Sequence, residues 1–257
     1  MRTVTATRYV TPLREGGSLP AIVEADDSGL YVAKFRGAGQ GPKALVAEVI
    51  AGALARAAGL RVPELVTIEI AAPLARNEPH DEIRDLLKAS VGLNLGVDYL
   101  PGSITFDPAA GPAPAADEAS AVVWLDAVVG NVDRTPRNPN LLMWHRRLWL
   151  IDHGASLVFH HAWDALDPAR APIAPVRDHV LLPWAAALAA AGAALGPRVG
   201  AAIEGAVAEV PEEWLAGERR FATAADHRAA YARELERRLA AAPRFVEEAE
   251  RARAAVV

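Results

Sequence analysis

Three polar residues stand at an informative spacing in residues 131–154 of this sequence. Asp133 is followed by Asn138 five residues later, and Asp152 begins an Asp-x-Gly turn fourteen residues after that. Phosphoryl transfer needs polar groups in this order. One carboxylate can position and deprotonate an acceptor hydroxyl, while an amide oxygen and a second carboxylate hold the Mg²⁺ that bridges the ATP phosphates. The spacing therefore predicts kinase chemistry, with Asp133 as catalytic base and with Asn138 and Asp152 as metal ligands.

Each of these residues taken alone has a simpler explanation. Asp133 lies in a polar loop after an apolar helix, where a lone Asp-x-x-x-x-Asn is more often an Asx-turn or a helix cap. The conjunction favours the catalytic interpretation, because an apolar hairpin over residues 141–151 follows Asn138 and ends at Asp152. Two neighbouring strands would bring both candidate metal ligands to one edge.

A kinase also needs a cation for the ATP phosphates, and Lys34 is a candidate inside the apolar strand 31–35. Simple alternation along the strand would point Lys34 outward, whereas an anionic partner would hold it inward. Glu48 follows fourteen residues later in a predicted helix. A strand lysine followed by a helix glutamate is the arrangement described for protein kinases. We therefore predict that Lys34 and Glu48 form an ion pair.

The elements that must position these residues change in character along the chain. Residues 1–106 are mostly strand-like runs separated by turns, and residues 107–257 are mainly helical. The proline- and alanine-rich stretch 107–116 marks the predicted boundary. Strands early and helices late predict an α+β fold, with a β-rich N-terminal lobe and a helical C-terminal lobe.

Hydrophobic periodicity and turn residues give the bounds of individual elements. Strands are predicted over residues 4–10, 19–24, 30–35, 65–70 and 91–99. Helices are predicted over residues 45–58, 81–89 and 117–129, with one long final helix over 225–253.

Composition excludes several classes of protein. The chain has 257 residues, of which 52% are hydrophobic, enough for one large domain or two lobes around a cleft. A net charge of −5 provides no basic footprint, so no nucleic-acid partner is expected. The absence of cysteine excludes disulfides, thiolate catalysis and Cys-ligated zinc, and suits a reducing compartment. Without a signal core or an apolar run of spanning length, we expect a cytoplasmic protein with no membrane span.

Several sequence blocks, in the same order, resemble the HipA-like kinases, a bacterial branch of the protein-kinase-like fold. The blocks are residues 31–35, 43–48, 59–63, 92–102, 131–142 and 150–154. The resemblance implies a two-lobed fold and an ATP- and Mg²⁺-dependent kinase that phosphorylates Ser or Thr of a protein.

The resemblance also implies roles for individual residues. Lys34 would contact the α- and β-phosphates and Glu48 would orient it. Asp133 would be the base, and Asn138 with Asp152 would bind Mg²⁺.

The strand that ends near residue 99 would lead into the hinge. The backbone of Asp98, Tyr99 and Leu100 would then meet the adenine. No Gly-x-Gly-x-x-Gly is present, and Gly17 with Ser18 is either a substitute phosphate-covering loop or an ordinary hairpin turn.

Other departures concern charge and length. Thr135 stands where typical protein kinases have a cation two residues after the base, and Arg137 is the candidate that takes over this charge. The chain is shorter than the full HipA toxins and lacks a counterpart of their extra N-terminal module, which argues against an antitoxin partner.

Alternatives remain at this point. A lipid kinase or a small-molecule kinase uses the same Asp-x-x-x-x-Asn and Asp-x-Gly set with another acceptor. A pseudokinase would bind nucleotide without turnover, although it usually lacks the base, the metal-binding Asp or the Lys. His153, His160 and His161 are a possible metal set, but a loop or activation-segment role is favoured because no carboxylate or Cys spacing surrounds them. Asp126 is interpreted as a structural hydrogen-bonding group rather than a second base.

Overall fold

The computed structural model describes residues 1–13, 19–39, 41–75, 80–110, 113–163 and 176–255. The chain folds into two compact units. The first unit contains Met1–Val46 and Pro63–Pro101, and the second contains Ala47–Val62 and Gly102–Val257. The lobe boundary at residues 107–116 stays a prediction.

The first unit is built on five strands. They are β1 (Thr3–Pro12), β2 (Ala21–Ala25), β3 (Leu30–Lys34), β4 (Leu65–Ile70) and β5 (Gly92–Asp98). They close into a barrel in the order β1-β2-β3-β5-β4, in which every neighbouring pair is antiparallel except β1 and β4. The predicted strands are confirmed to within about two residues at each end. β2 and β3 show the alternate burial of strands with one face on the core, whereas β4 is buried at nearly every residue.

Alternate side chains of the barrel strands form its core. Val23 and Ala33 are fully buried, and Tyr31 and Ile68 join them in one apolar cluster. Lys34 is half-buried and lies on the face of β3 opposite Tyr31 and Ala33. The lysine is therefore on the outer face of the barrel wall, away from this cluster.

Two helices lie between the barrel strands in sequence, α1 (Pro42–Ala57) and α2 (Asp81–Ala89). Helix α1 begins with a proline, whose missing N–H costs nothing at that position. It ends before Gly59, which has φ 83°, while the Leu60 N–H donates to the Ala55 carbonyl at 3.0 Å. This is a Schellman ending, in which glycine takes the left-handed conformation at least cost.

The second unit is mainly helical. Its helices are α3 (Ala116–Val129), α4 (Leu188–Ala208), α5 (Glu212–Leu215), α6 (Ala224–Ala240) and α7 (Ala242–Ala254). Helix α3 is apolar on nearly all sides and packs against α4, α6 and α7. A helix with this pattern is a core helix, so the loop that carries Asp133 begins at the end of a buried helix.

A small antiparallel sheet accompanies the helices, in the order β6-β7-β8. Its strands are β6 (Ile104–Thr105), β7 (Leu141–Trp144) and β8 (Arg147–Leu150). Short 3₁₀ helices occupy Ala72–Ala75, Val158–His161, Val176–Asp178 and Leu182–Trp184. The hairpin predicted over residues 141–151 is confirmed as β7 and β8.

The single final helix predicted over residues 225–253 is wrong. The structure has two helices there, α6 and α7, separated at Ala241. Pro243 is the physical reason, because its ring clashes with the carbonyl four residues earlier and it has no N–H to donate. Within the described ranges, no helix combines the length and apolarity needed to cross a membrane.

Candidate active site

The loop that carries Asp133 starts from a well-fixed helix end. Gly130 follows α3 with φ 67°, a left-handed conformation that suits glycine. Arg238, which is almost fully buried in α6, donates from Nη2 to the Ala127 carbonyl and from Nε to the Val128 carbonyl, both at 2.6 Å. The last carbonyls of α3 therefore have donors, and the direction in which the chain leaves the helix is set.

Asp133 lies within a net of amide side chains. Its backbone N–H donates to Asn131 Oδ1 at 3.1 Å, which makes an Asx-turn around the residue. Its Oδ2 accepts from Asn138 Nδ2 at 2.7 Å and from Asn140 Nδ2 at 3.4 Å. Asn140 Nδ2 also donates to the Asp133 carbonyl at 3.2 Å. The carboxylate is thus half-buried and held in one orientation.

Asp152 reaches the same region through the β7–β8 hairpin. Leu141 pairs with Leu150, and the Ile151 N–H donates to the Asn140 carbonyl at 3.1 Å. The residue just before Asp152 is therefore hydrogen-bonded to a residue that holds Asp133. Asp152 is exposed and has φ 55°, so the chain turns sharply as it leaves the strand.

Asn138 and Asp152 fit Mg²⁺ by the chemistry of their donors. Asn138 directs Nδ2 to Asp133, so its Oδ1, on the other branch of the same planar amide, points away from that hydrogen bond and can bind a cation. Asp152 adds carboxylate oxygens, and Mg²⁺ in phosphate-binding sites commonly takes one or two protein oxygens and fills its shell with phosphate and water. Across the described ranges, no cluster of three or more His, Asp or Glu is arranged to hold a metal.

Glu48 is buried in α1, with only 2% of its surface exposed. Its Oε1 accepts the backbone N–H of Gly154 at 3.0 Å. The glutamate predicted to orient Lys34 thus binds the glycine of the Asp-x-Gly turn. Arg137 is exposed in the turn between Thr135 and Asn138. The Lys34–Glu48 ion pair, which would join residues of different units, stays a prediction.

The predicted adenine-binding residues lie at the end of β5. The Asp98 N–H donates to the Glu64 carbonyl at 2.9 Å and the Tyr99 N–H to the Leu30 carbonyl at 3.0 Å. Burial, with the nearby Glu64 charge, raises the pKa of the Asp98 carboxyl. Two of the three candidate donors are therefore already used within the barrel. Gly17 and Ser18, predicted to cover the phosphates, lie outside the described residues.

A buried ion network lies directly beneath the Asp133 loop. Arg134 Nε donates to Asp126 Oδ2 at 2.5 Å, and the exposed fractions of the two side chains are 0% and 2%. His179 Nε2 lies 3.0 Å from the same oxygen, and Asn131 Nδ2 donates to Asp126 Oδ1 at 3.1 Å. Burial alone would raise the pKa of the Asp126 carboxyl. The Arg134 charge and the His179 and Arg134 hydrogen bonds outweigh burial and hold that pKa below its usual range.

Sequence reasoning missed three members of this region. In the sequence, Arg134 is one polar residue of a polar loop, and His179 stands between Asp178 and an apolar run with no motif around it. Asn140 has φ 49°, and asparagine is one of the few residues that tolerates this conformation. Its residue type was therefore the one signal of its position that the sequence offered. Asp126 is hydrogen-bonded inside the protein, as expected for a structural group.

His160, His161 and His227 take part in aromatic packing around Tyr231 of α6. His160 Nδ1 lies 3.1 Å from the Tyr231 hydroxyl, and its Nε2 lies 3.1 Å from His161 Nε2. Tyr231 also stacks on His227 at 5.0 Å between ring centroids. These contacts give His160 and His161 partners within the protein, and the loop or activation-segment role that the sequence favours for them stays a prediction.

Comparison with known proteins adds two findings. A family model described as HipA-like kinase matches residues 7–248. A crystal structure of a Helicobacter pylori proinflammatory kinase, CtkA, is similar, with a TM-score of 0.57 and 12% sequence identity. The alignment covers 96% of this chain and 99% of that chain, and at this identity it shows a shared fold. No curated protein matches the sequence.

Proposed function

Because the chain belongs to the HipA-like kinase family, we propose that it is an ATP- and Mg²⁺-dependent phosphotransferase whose acceptor is a Ser or Thr hydroxyl of a protein. The observation that carries this proposal is the state of the Asp133 carboxylate. Oδ2 accepts the amide hydrogens of Asn138 and Asn140, whereas Oδ1 has no donor in the described part of the chain. One oxygen is fixed by the protein, and the other is available for a substrate proton.

In the proposed reaction, Asp133 Oδ1 accepts the hydrogen bond of the acceptor hydroxyl and turns the hydroxyl oxygen toward the γ-phosphate. The new O–P bond forms as the bond between the γ-phosphorus and the β–γ bridging oxygen breaks. ADP leaves and the hydroxyl proton passes to Asp133. Phosphoryl transfer depends mainly on positioning, and the two amide donors on Oδ2 supply it.

The other residues have supporting roles in this proposal. Asn138 and Asp152 would hold Mg²⁺, which neutralises charge on the phosphate oxygens when it is bound. Lys34, oriented by Glu48, binds the α- and β-phosphates. Arg137 supplies the cation that Thr135 cannot.

Adenine recognition is assigned to the backbone at the end of β5. The Asp98 and Tyr99 N–H groups donate to Glu64 and Leu30 carbonyls. We therefore assign the donor role to the Leu100 N–H, with neighbouring carbonyls as acceptors. The two-lobed arrangement of the kinase fold is part of the same proposal.

The test compares Asp133→Asn and Asp152→Ala with the wild type and with Glu236→Ala, an exposed acidic residue of α6 that serves as the matched control. Purified proteins receive Mg²⁺ and γ-labelled ATP, and transfer to the protein itself or to a lysate fraction is measured. Asp133→Asn should lower transfer by about 10²–10⁴-fold, the usual contribution of a general base. Nucleotide binding by thermal shift should persist in that variant.

Asp152→Ala should abolish the Mg²⁺-dependent part of nucleotide stabilisation in the same thermal-shift assay, while Glu236→Ala matches the wild type. Mg²⁺-dependent stabilisation of the wild type without any phosphoryl transfer under varied metals would indicate a pseudokinase and refute the proposal. Phosphoproteomics of cells carrying wild type or Asp133→Ala would identify the acceptor. Phosphorylated lipids or small molecules without phosphopeptides would refute the protein acceptor.

A further inference from the structure

The loop that carries Asp133 is tied to a segment more than forty residues later in the chain. The Val180 N–H donates to the Arg134 carbonyl at 3.0 Å. The preceding residue, His179, lies 3.0 Å from Asp126 Oδ2 through its Nε2. The segment therefore holds the loop in two ways. Val180 binds the backbone of Arg134, and His179 binds Asp126, the carboxylate that pairs with the Arg134 side chain.

The hydrogen bonds of His179 determine its tautomer. Its Nδ1 lies 3.0 Å from the backbone nitrogen of Leu181, which can only donate. Nδ1 is therefore an acceptor and carries no proton. The ring proton is on Nε2, which donates to Asp126. His179 acts here as a neutral donor to a carboxylate that is 2% exposed.

Arg134 connects Asp126 to the backbone next to the candidate site residues. One edge of its guanidinium group, Nε and Nη2, donates to Asp126, and Nη1 donates to the Asn140 carbonyl and, at 3.4 Å, to the Ile151 carbonyl. Asn140 holds the Asp133 carboxylate, and Ile151 precedes Asp152. A single buried cation thus contacts the backbone just before β7 and just after β8, next to the proposed base and the proposed metal ligand.

We propose that His179 is a positioning residue for phosphoryl transfer, which acts by fixing Asp126 and, through Arg134, the backbone on either side of Asp133 and Asp152. The catalytic consequence rests on the proposed function, but the effect on the loop does not. Removal of the imidazole leaves the Arg134–Asp126 ion pair in place, so the loop should loosen without unfolding. His179 touches neither substrate nor nucleotide in this scheme.

The first readout is amide hydrogen exchange of nucleotide-free protein. We compare wild type, His179→Ala and His179→Gln, whose side-chain amide can still donate to Asp126. Val199→Ala, which removes buried methyl groups from α4, controls for lost stability. In His179→Ala, exchange should accelerate at least about tenfold at the Thr135, Asn138 and Ile151 amides, which are hydrogen-bonded in the wild type. His179→Gln should restore much of the protection.

The second readout separates kcat from KM during MgATP turnover. His179→Ala should lower kcat about tenfold, or ~1.4 kcal/mol of barrier, and leave the KM for ATP within about threefold. His179→Gln should recover most of kcat, and Val199→Ala should retain it. Unchanged loop exchange in His179→Ala, or the same kcat loss in Val199→Ala, would overturn the inference. A wild type that turns over no ATP would refute the proposed function instead, and loop exchange would still decide whether His179 positions the loop.

Discussion

Substitution of Asp126 by Asn is expected to destabilise the second unit by about 3–5 kcal/mol, the usual cost of leaving one partner of a buried ion pair uncompensated. Each carboxylate oxygen accepts two donors. Oδ1 accepts from Asn131 Nδ2 and Arg134 Nη2, and Oδ2 accepts from Arg134 Nε and His179 Nε2. An amide NH₂ at either position would therefore face two donors and could bind neither.

The magnitude follows from burial as well as from hydrogen bonding. The Arg134 side chain has no exposed surface, so water cannot replace the lost carboxylate charge. For a protein of this size, 1 kcal/mol shifts the unfolding temperature by roughly 2–4 °C, so the expected shift is roughly 6–20 °C.

Tryptophan fluorescence is the appropriate probe, recorded during heating for the unfolding temperature and during urea unfolding for the free energy. All six tryptophans lie in the second unit, so the signal reports on the unit that contains the ion pair. The set is completed by two single variants, Asp126→Leu and Arg134→Met, and by the double variant that combines Asp126→Leu with Arg134→Met. The double variant removes both charges, so it should recover at least about 1 kcal/mol relative to the sum of the single changes.

Two outcomes would refute this reasoning. One is an Asp126→Asn protein whose unfolding temperature lies within about 2 °C of that of the wild type, because the shift expected from an unpaired buried cation is larger. The other is strict additivity in the double variant, which would mean that Asp126 and Arg134 do not interact in the folded protein.

Two further predictions concern pH and the end of α3. The pKa of Asp126 lies below its ordinary value of 3.8 in the folded state. The contribution of the carboxylate to stability is therefore complete above pH 3.8 and is lost as the pH falls toward the folded pKa. The urea midpoints of wild type and Asp126→Asn should therefore converge below about pH 4. A difference between the two midpoints that does not change with pH would contradict this prediction. Arg238→Met should cost about 2–4 kcal/mol, because the Ala127 and Val128 carbonyls lose buried donors. The exposed neighbour Arg237→Met should stay within about 0.5 kcal/mol, and equal losses would contradict the capping role.

Local pattern was sufficient for most elements and for the family. The strand over residues 65–70 and the helix over 81–89 match β4 and α2, because each is defined by its own periodicity and by flanking turn residues. The HipA-like resemblance, drawn from short blocks in order, is confirmed by the family match over residues 7–248.

What the sequence did not predict depends on contacts between distant residues. The parallel pairing of β1 with β4, with Thr3 opposite Thr67, closes the barrel, and no local pattern encodes it. The periodicity of the charged residues does not reveal the break at Ala241, because the same periodicity continues from α6 into α7. The break is caused by Pro243, which interrupts the backbone hydrogen bonding of the helix.

The buried network under the loop is the other part that could not be predicted. Asp126 is on a core helix, Arg134 is in a loop and His179 is far along the chain. The sequence indicates a structural role for Asp126 but does not identify its partners, because Arg134 and His179 each have an ordinary surface explanation when taken alone. Only the folded chain shows that their charges and donors satisfy one another.

The Asp126–Arg134–His179 network also limits how this protein can evolve. A change at position 126 or 134 alone leaves a buried charge without its counterion, and this intermediate carries most of the cost. Lineages that lose the carboxylate should therefore also lose the guanidinium, and the residue at position 179 should change with them. We expect these three positions to covary as a unit among homologues, even though they are separated by 8 and 45 residues in the chain.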